Sequence, residues 1–181
     1  MGATTIEDRN FHTLHIRVGY ALRSNKGAMN RLDKKQSPRI VSIDYSFNEL
    51  VSDISFLEVD GEAQIQTYGE VTLLAEKIRA ILQQEERDRS RRQDVYDLYY
   101  FLTHHHLDPD KAPLILEELL RKAQSRDLSI DRNSMAAPEI YKRSKREYDS
   151  LANEIEGELP DFDLAFSTLK KFYEELPWEL V

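Results

Sequence analysis

Cysteine is absent from the chain, and that one absence excludes a disulfide framework, thiolate zinc sites and thiol catalysis together, and favours a reducing compartment. No stretch approaches the roughly 18 consecutive apolar residues of a membrane span, and the first residues carry no basic segment leading into an apolar one. A cytoplasmic protein without membrane association is the expectation. An excess of basic charge is lacking too. Lys and Arg number 25 against 33 Asp and Glu, a formal charge of −8, which disfavours sequence-independent nucleic-acid binding unless basic residues cluster locally. Gly2 lacks the Ser or Thr that a myristoylation signal wants four residues later, since Ile6 stands there, and reads as an ordinary residue.

With 181 residues the chain can bury a sizeable core. Its first third alternates apolar and polar residues as strands do. Leu14, Ile16, Val18, Tyr20 and Leu22 form one run, and Val41, Ile43, Tyr45 and Phe47 form another whose opposite face carries Ser42, Asp44 and Ser46. Residues 24–38, polar and punctuated by Gly27 and Pro38, read as a mobile loop. Two shorter strands over 55–59 and 63–68 flank Asp60-Gly61-Glu62, whose Asp-Gly step predicts a hairpin.

From Gly69 onward the period lengthens to three and four. Val71, Leu74, Ala75, Ile78, Ile81 and Leu82 mark one amphipathic helix, and Val95, Leu98, Tyr99 and Leu102 a second. Asp108-Pro109-Asp110 opens a third helix. A fourth runs over 138–151, and a fifth begins near Pro160. The expected class is α+β: a small antiparallel (or mixed) sheet over 1–68, then a helical region of about five helices over 69–181 packed on it.

His104-His105-His106 is a conspicuous cluster, but successive helical residues point about 100° apart, so three in a row do not clamp one ion. Histidines ending a helix suit its dipole instead. The charges of the first two helices are more telling. Lys77 and Arg79 lie about 100° to either side of the apolar stripe, where they border a cleft without being buried, and Asp94 and Asp97, three apart, share a helix face. A short connection joins the two helices, so the Lys and the carboxylates can converge. Such a set suits a nucleoside triphosphate, although acidic residues in a first helical turn and an Arg91–Asp94 pair are also ordinary helix chemistry. Arg87, Arg89, Arg91 and Arg92 form a basic knot interleaved with Glu85, Glu86 and Asp88, which reads either as a solvated loop or as a contact for RNA phosphates. Asp44 is a strand-borne carboxylate that becomes a magnesium ligand only where further carboxylates meet it.

Thr72-Leu73-Leu74-Ala75-Glu76-Lys77-Ile78-Arg79-Ala80-Ile81-Leu82, followed by Arg92-Gln93-Asp94-Val95-Tyr96-Asp97-Leu98-Tyr99, resembles the double signature of the AbiEii nucleotidyltransferase toxin family. The strand from Arg39 to Ser46 and the segment from Leu159 through Asp163 to Phe172 resemble other parts of it. The resemblance implies a polymerase-β-like fold and a toxin of abortive infection, a phage defence, and of type IV toxin–antitoxin pairs. It also implies transfer of nucleotides from NTP, with Mg²⁺, to an RNA such as tRNA. Carried over by position, Asp44 is a catalytic, metal-binding carboxylate, Lys77 and Arg79 contact NTP, and Asp94 or Asp97, Asp94 first, is the helical catalytic acid. Arg87, Arg89, Arg91 and Arg92 are the RNA candidates.

One departure qualifies these expectations. The family's Gly-Ser turn and strand-borne Asp-x-Asp are missing: no Gly-Ser pair occurs, and Asp108-Pro109-Asp110 and Asp161-Phe162-Asp163 read as helix starts. The chain thus reads as the family's C-terminal part, incomplete in catalysis unless a second chain supplies an N-terminal half. A cognate antitoxin is the other implied partner. The alternative is a non-catalytic scaffold or regulatory module that binds a partner protein or RNA.

Overall fold

The computed structural model describes residues 3–8, 11–47, 50–59, 61 and 63–180, with side chains from Leu14 onward. Gly2, Asp60 and Glu62 lie outside the described residues. The chain divides into two compact units, residues 1–50 and 51–181.

The first unit holds β1 (Ala3–Asp8), β2 (Phe11–Tyr20), α1 (Lys26–Asp33) and β3 (Arg39–Ser46). Its sheet is antiparallel in the order β1-β2-β3. Opposed residues of an antiparallel pair share a face, so the pairings Leu14 with Tyr45, Ile16 with Ile43 and Val18 with Val41 gather the apolar side chains, as the alternation predicts. The other face pairs His15 with Asp44 and Arg17 with Ser42. Every residue of β3 is nonetheless exposed, so alternation correctly sorted the faces without implying a covered core.

The connection over 24–38 corrects the expected loop, because it contains α1. Asn25 starts this helix: its Oδ1 accepts from the Ala28 amide at 2.9 Å, and Ala28 is buried. Met29 and Leu32 continue a short apolar stripe behind Ala28 that the surrounding Lys and Arg residues obscure. The turn back into β3 is pinned by Ser37, whose hydroxyl donates to the Tyr20 carbonyl at 2.8 Å.

The second unit starts with the hairpin of β4 (Ile54–Val59) and β5 (Ala63–Tyr68), in the predicted place. Gly61 takes φ of +71° there, a left-handed conformation that glycine adopts without a Cβ penalty. The helices are α2 (Glu70–Leu82), α3 (Arg92–His104), α4 (Lys111–Gln124), α5 (Pro138–Lys145) and α6 (Phe162–Glu174), the five expected after the strands. The fold class is α+β. The predicted helix over 138–151 is interrupted: α5 stops at Lys145, Glu147 turns left-handed with φ of +60°, and a 3₁₀ turn, Tyr148–Asn153, follows. Tyr148 and Leu151 are still buried, so the apolar spacing survived a break in the backbone that it does not encode. No described helix is long and apolar enough to cross a membrane.

Leu74, Ile78 and Ile81 of α2, Val95 and Leu98 of α3, and Ile115 and Leu119 of α4 lose all contact with solvent and form one core with Leu169 and Tyr173 of α6. Burying such a side chain contributes about 1.5–3 kcal/mol relative to exposing it. The two Asp-x-Asp segments sit at helix entries as expected. Asp161 accepts from the amides of Asp163 and Leu164 at 2.9 and 3.1 Å and so caps α6, while Asp108 accepts from the Asp110 amide at 3.1 Å just before α4.

The start of α2 is fastened to the hairpin. Asp53, just before β4, donates its amide to Thr72 Oγ1 at 2.9 Å, accepts from the Gly69 amide at 2.9 Å, and receives the Val71 amide on its carboxylate at 3.2 Å. A remote carboxylate therefore satisfies a first-turn donor that Gly69, with no side chain, leaves open. The fit excludes any side chain at Gly69, where an added Cβ would lie 2.0 Å from the Asp53 carboxylate. Gly69→Ala must expel the carboxylate, so it is expected to lose about 0.5–2 kcal/mol, the worth of a helix cap. In a denaturant double-mutant cycle, Asp53→Ala with Gly69→Ala should be no less stable than Asp53→Ala alone, whereas fully additive losses would refute the steric account.

Candidate functional site

Each residue of an α-helix turns by about 100°, so the neighbours Glu76, Lys77 and Ile78 point in three directions. Ile78 enters the core, Lys77 turns to α3 and Glu76 turns to α4. Two sets of charges, one on each side of α2, follow from this.

Toward α3, Lys77 Nζ donates to Asp94 Oδ1 at 2.9 Å and to Asp97 Oδ2 at 2.6 Å. The first turn of α3 presents both carboxylates on one side, because Asp94 and Asp97 are three apart, and Asp94 also suits the positive end of the helix dipole. Burial pushes the Lys77 ammonium toward losing its proton, but Asp94 and Asp97 outweigh it and hold the pKa above the ordinary lysine value. Arg91, at the N-terminal boundary of α3, stands 3.5 Å from Asp94 Oδ2. Its burial lowers its own pKa despite Asp94, and its Nε is buried with no hydrogen-bond partner among the described residues. Two cations and two carboxylates therefore meet in a half-buried position. An ammonium has three N–H donors; the two aspartates take two, and one is left to direct at a ligand.

Toward α4 the charges are buried. Arg79 forms a two-pronged pair with Glu76, with Nε donating to Oε2 at 3.2 Å, and also donates to Gln83. Lys122 lies 3.4 Å from Glu76 and 3.8 Å from Glu118, and Arg121 donates to Glu118 at 2.6 Å. Arg79 is only 6% exposed, which corrects the expectation that it borders a cleft unburied beside Lys77. The apolar stripe of α2 is wider than its hydrophobic residues suggest, because α4 covers the Arg79 side and supplies charges to satisfy it. Glu118 and Lys122 play no part in the sequence reading. Their only signal is a Glu–Lys pair four apart beside the stripe of Ile115, Leu119 and Ala123.

The other candidates are dispersed. Asp44 is in the first unit, where its carboxylate pairs with the Nδ1 of His15 across β2 and β3. Magnesium needs a near-octahedral set of oxygens, and one carboxylate held by a histidine does not provide it. Among the described residues no group of three or more His, Cys, Asp or Glu is placed to hold a metal ion. In the arginine knot, Arg91 turns to Asp94, and Arg92 lies 3.4 Å from both Glu147 and Glu154. Arg87 is half-buried and Arg89 exposed. His104 and His105 stack on Tyr100 and Phe101, with centroids 4.1 and 4.8 Å apart.

Against known proteins, a family model described as "Nucleotidyl transferase AbiEii toxin, Type IV TA system" matches residues 2–169. No curated protein and no solved structure matches the chain.

The buried charges carry two expectations. Lys122→Met removes the cation shared by Glu118 and Glu76, which keep Arg121 and Arg79, and should destabilise by about 1.5–3 kcal/mol in chemical denaturation. Burial raises the Glu76 pKa, but Arg79 and Lys122 more than reverse this and hold it below the ordinary 4.5. Its contribution is therefore present above that value and is lost as pH falls through the lower folded pKa. Thermal midpoints of the wild type should fall in that acid window, and Glu76→Gln should reduce the fall; an unchanged profile would show that Glu76 is not held in its ionised form.

Proposed function

The chain belongs to the AbiEii family of nucleotidyl transferase toxins of type IV toxin–antitoxin systems, and from that membership we propose that Lys77 binds the phosphates of an NTP for transfer to an RNA such as tRNA. The observation that carries the reading is the clamp on Lys77, whose Nζ lies 2.9 and 2.6 Å from Asp94 and Asp97. Two carboxylates keep the ammonium protonated and fixed, and its remaining donor is available to phosphate. Arg91, half-buried and 3.5 Å from Asp94, adds a second cation at the same place. Because the clamp balances its own charges, the NTP is proposed to enter as its magnesium complex, which brings less negative charge than the free triphosphate.

Asp94 is the better candidate for the helical catalytic acid, since it touches both Lys77 and Arg91. Arg79 is buried and spent on Glu76 and Gln83, so its part is to position α2 rather than to meet NTP directly. The residues around Lys77 are proposed as the nucleotide-holding side of a transferase, and transfer is proposed to require a further chain that brings acidic residues. Asp44, in the first unit, is proposed separately as a metal-binding carboxylate, and the exposed Arg89 remains a candidate for RNA phosphates. A cognate antitoxin is the partner that membership of a toxin–antitoxin family implies, and the cytoplasm is the proposed site of action.

Calorimetric titration with each NTP and Mg²⁺ tests the nucleotide site. Lys77→Gln, which keeps much of the side-chain volume, should weaken binding about 10–100-fold, the worth of one charge-assisted hydrogen bond. Absence of binding by folded wild-type protein would remove the nucleotide reading and favour a scaffold that holds a partner protein or RNA. Labelled NTP with total tRNA should give incorporation only when the second chain is added, and incorporation by this chain alone would refute the requirement for it.

A further inference from the structure

Beside the Lys77 clamp, α2 and α3 enclose a groove of about 270 Å³ whose walls include Leu73, Tyr96, Tyr100 and Phe101 and whose charged members are Lys77 and Asp97. Asp94 does not line it, so the two aspartates that sequence cannot separate face different surroundings. Asp94 bridges Lys77 to Arg91, whereas Asp97 stands where the apolar walls begin. We infer that this groove is the base subsite of the nucleotide and that Asp97 is its specificity residue rather than a catalytic one. The inference rests on the nucleotide reading of Lys77.

Three features point to a nucleobase. The walls offer flat, braced rings: Tyr96 and Tyr100 have centroids 6.2 Å apart at 35°, Tyr100 stacks on His104 at 4.1 Å and 14°, and Phe101 stacks on His105 at 4.8 Å and 20°. Packing at i, i+4 fixes these rings before a ligand arrives, and heteroaromatic bases stack well on such platforms. Tyr100 is 46% exposed, which keeps the groove open to a ligand from solvent. The groove is also long enough for a base. His105 follows Asp97 by eight residues and lines the groove too, so at about 1.5 Å per residue it extends on the order of 12 Å along α3.

The third feature is the pairing of charges at one end. An ionised carboxylate only accepts hydrogen bonds, and so selects a base edge that offers amino or imino N–H groups. The ammonium next to it suits an anion. A nucleotide carries a donor-bearing flat ring and a phosphate in one molecule, whereas an apolar side chain of a partner protein would use neither the acceptor capacity that Asp97 keeps beyond Lys77 nor the third donor of the ammonium.

Inorganic tripolyphosphate separates the two levels of the argument, because it has the phosphates and no base. Affinities of the full chain for tripolyphosphate and for each of the four NTPs, all with Mg²⁺, should show at least one NTP bound about tenfold or more tighter than tripolyphosphate. Tyr100→Ala should bring that NTP down to the tripolyphosphate level while tripolyphosphate itself binds as before. Asp97→Asn, which replaces a pure acceptor by a donor and acceptor, should change the ranking of the four NTPs by about tenfold. Equal affinities for NTP and tripolyphosphate, both lost in Lys77→Gln, would overturn the base subsite, leave the phosphate site standing and free the groove for an apolar partner residue. Tripolyphosphate and NTP binding that is indifferent to Lys77→Gln would overturn both.

Discussion

Lys122 gives up nearly all contact with water where α4 packs on α2, and it does so between Glu76 and Glu118. A buried ammonium is expensive unless carboxylates stand at the right depth, and each of these carboxylates in turn needs a cation, which Arg79 and Arg121 provide. A hydrophobic interface tolerates sliding by a fraction of a turn. This one does not, because a shift of one residue would leave several charges unpaired in a dry site at once. The pairing therefore ties the rotation of α2 to that of α4.

That rotation decides what α2 presents on its other side. With Glu76 committed to α4 and Ile78 to the core, Lys77 has only the first turn of α3 to meet, and Asp94 and Asp97 are there. The clamp and the buried network are thus two outcomes of one helix orientation. The aromatic groove belongs to the same geometry, since Leu73 lies one turn before Lys77, and Phe101 one turn after Asp97. Asp53 fixes the remaining freedom by tying the start of α2 to the hairpin through Thr72 and the Val71 amide. The residues proposed to face the nucleotide are in this way carried on rigid elements, which suits a site that must hold charge without rearranging.

The first unit follows different physics. Its sheet is held by backbone pairing and by the division of side chains between two faces, with Ala28 buried among the residues whose side chains are described. Asp44 is placed by register, opposite His15, and its carboxylate is answered by that imidazole. A strand carboxylate paired in this way is by itself not a metal site.

Periodicity determined β2 to β5 and the existence of α2, α3, α4, α5 and α6, because spacing of two or of three to four is a local property that burial merely completes. Local patterns also supplied the helix starts at Asp110 and Asp161 and the common face of Asp94 and Asp97. The family was legible in the residues that run from Thr72 to Leu82 and from Arg92 to Tyr99. Other features, β1 among them, were not. Helix α1 was hidden by its charged surroundings, and the break after Lys145 arises from a left-handed residue that no pattern announces. The burial of Arg79 and the roles of Glu118 and Lys122 depend on α4, more than thirty residues away in sequence, coming to lie over α2. The difference between Asp94 and Asp97 likewise depends on what surrounds each one. Sequence puts both on one helix face, but only packing decides that Arg91 stands beside the first and aromatic rings beside the second, because the environment of a charge is made by chain segments that are distant along the sequence.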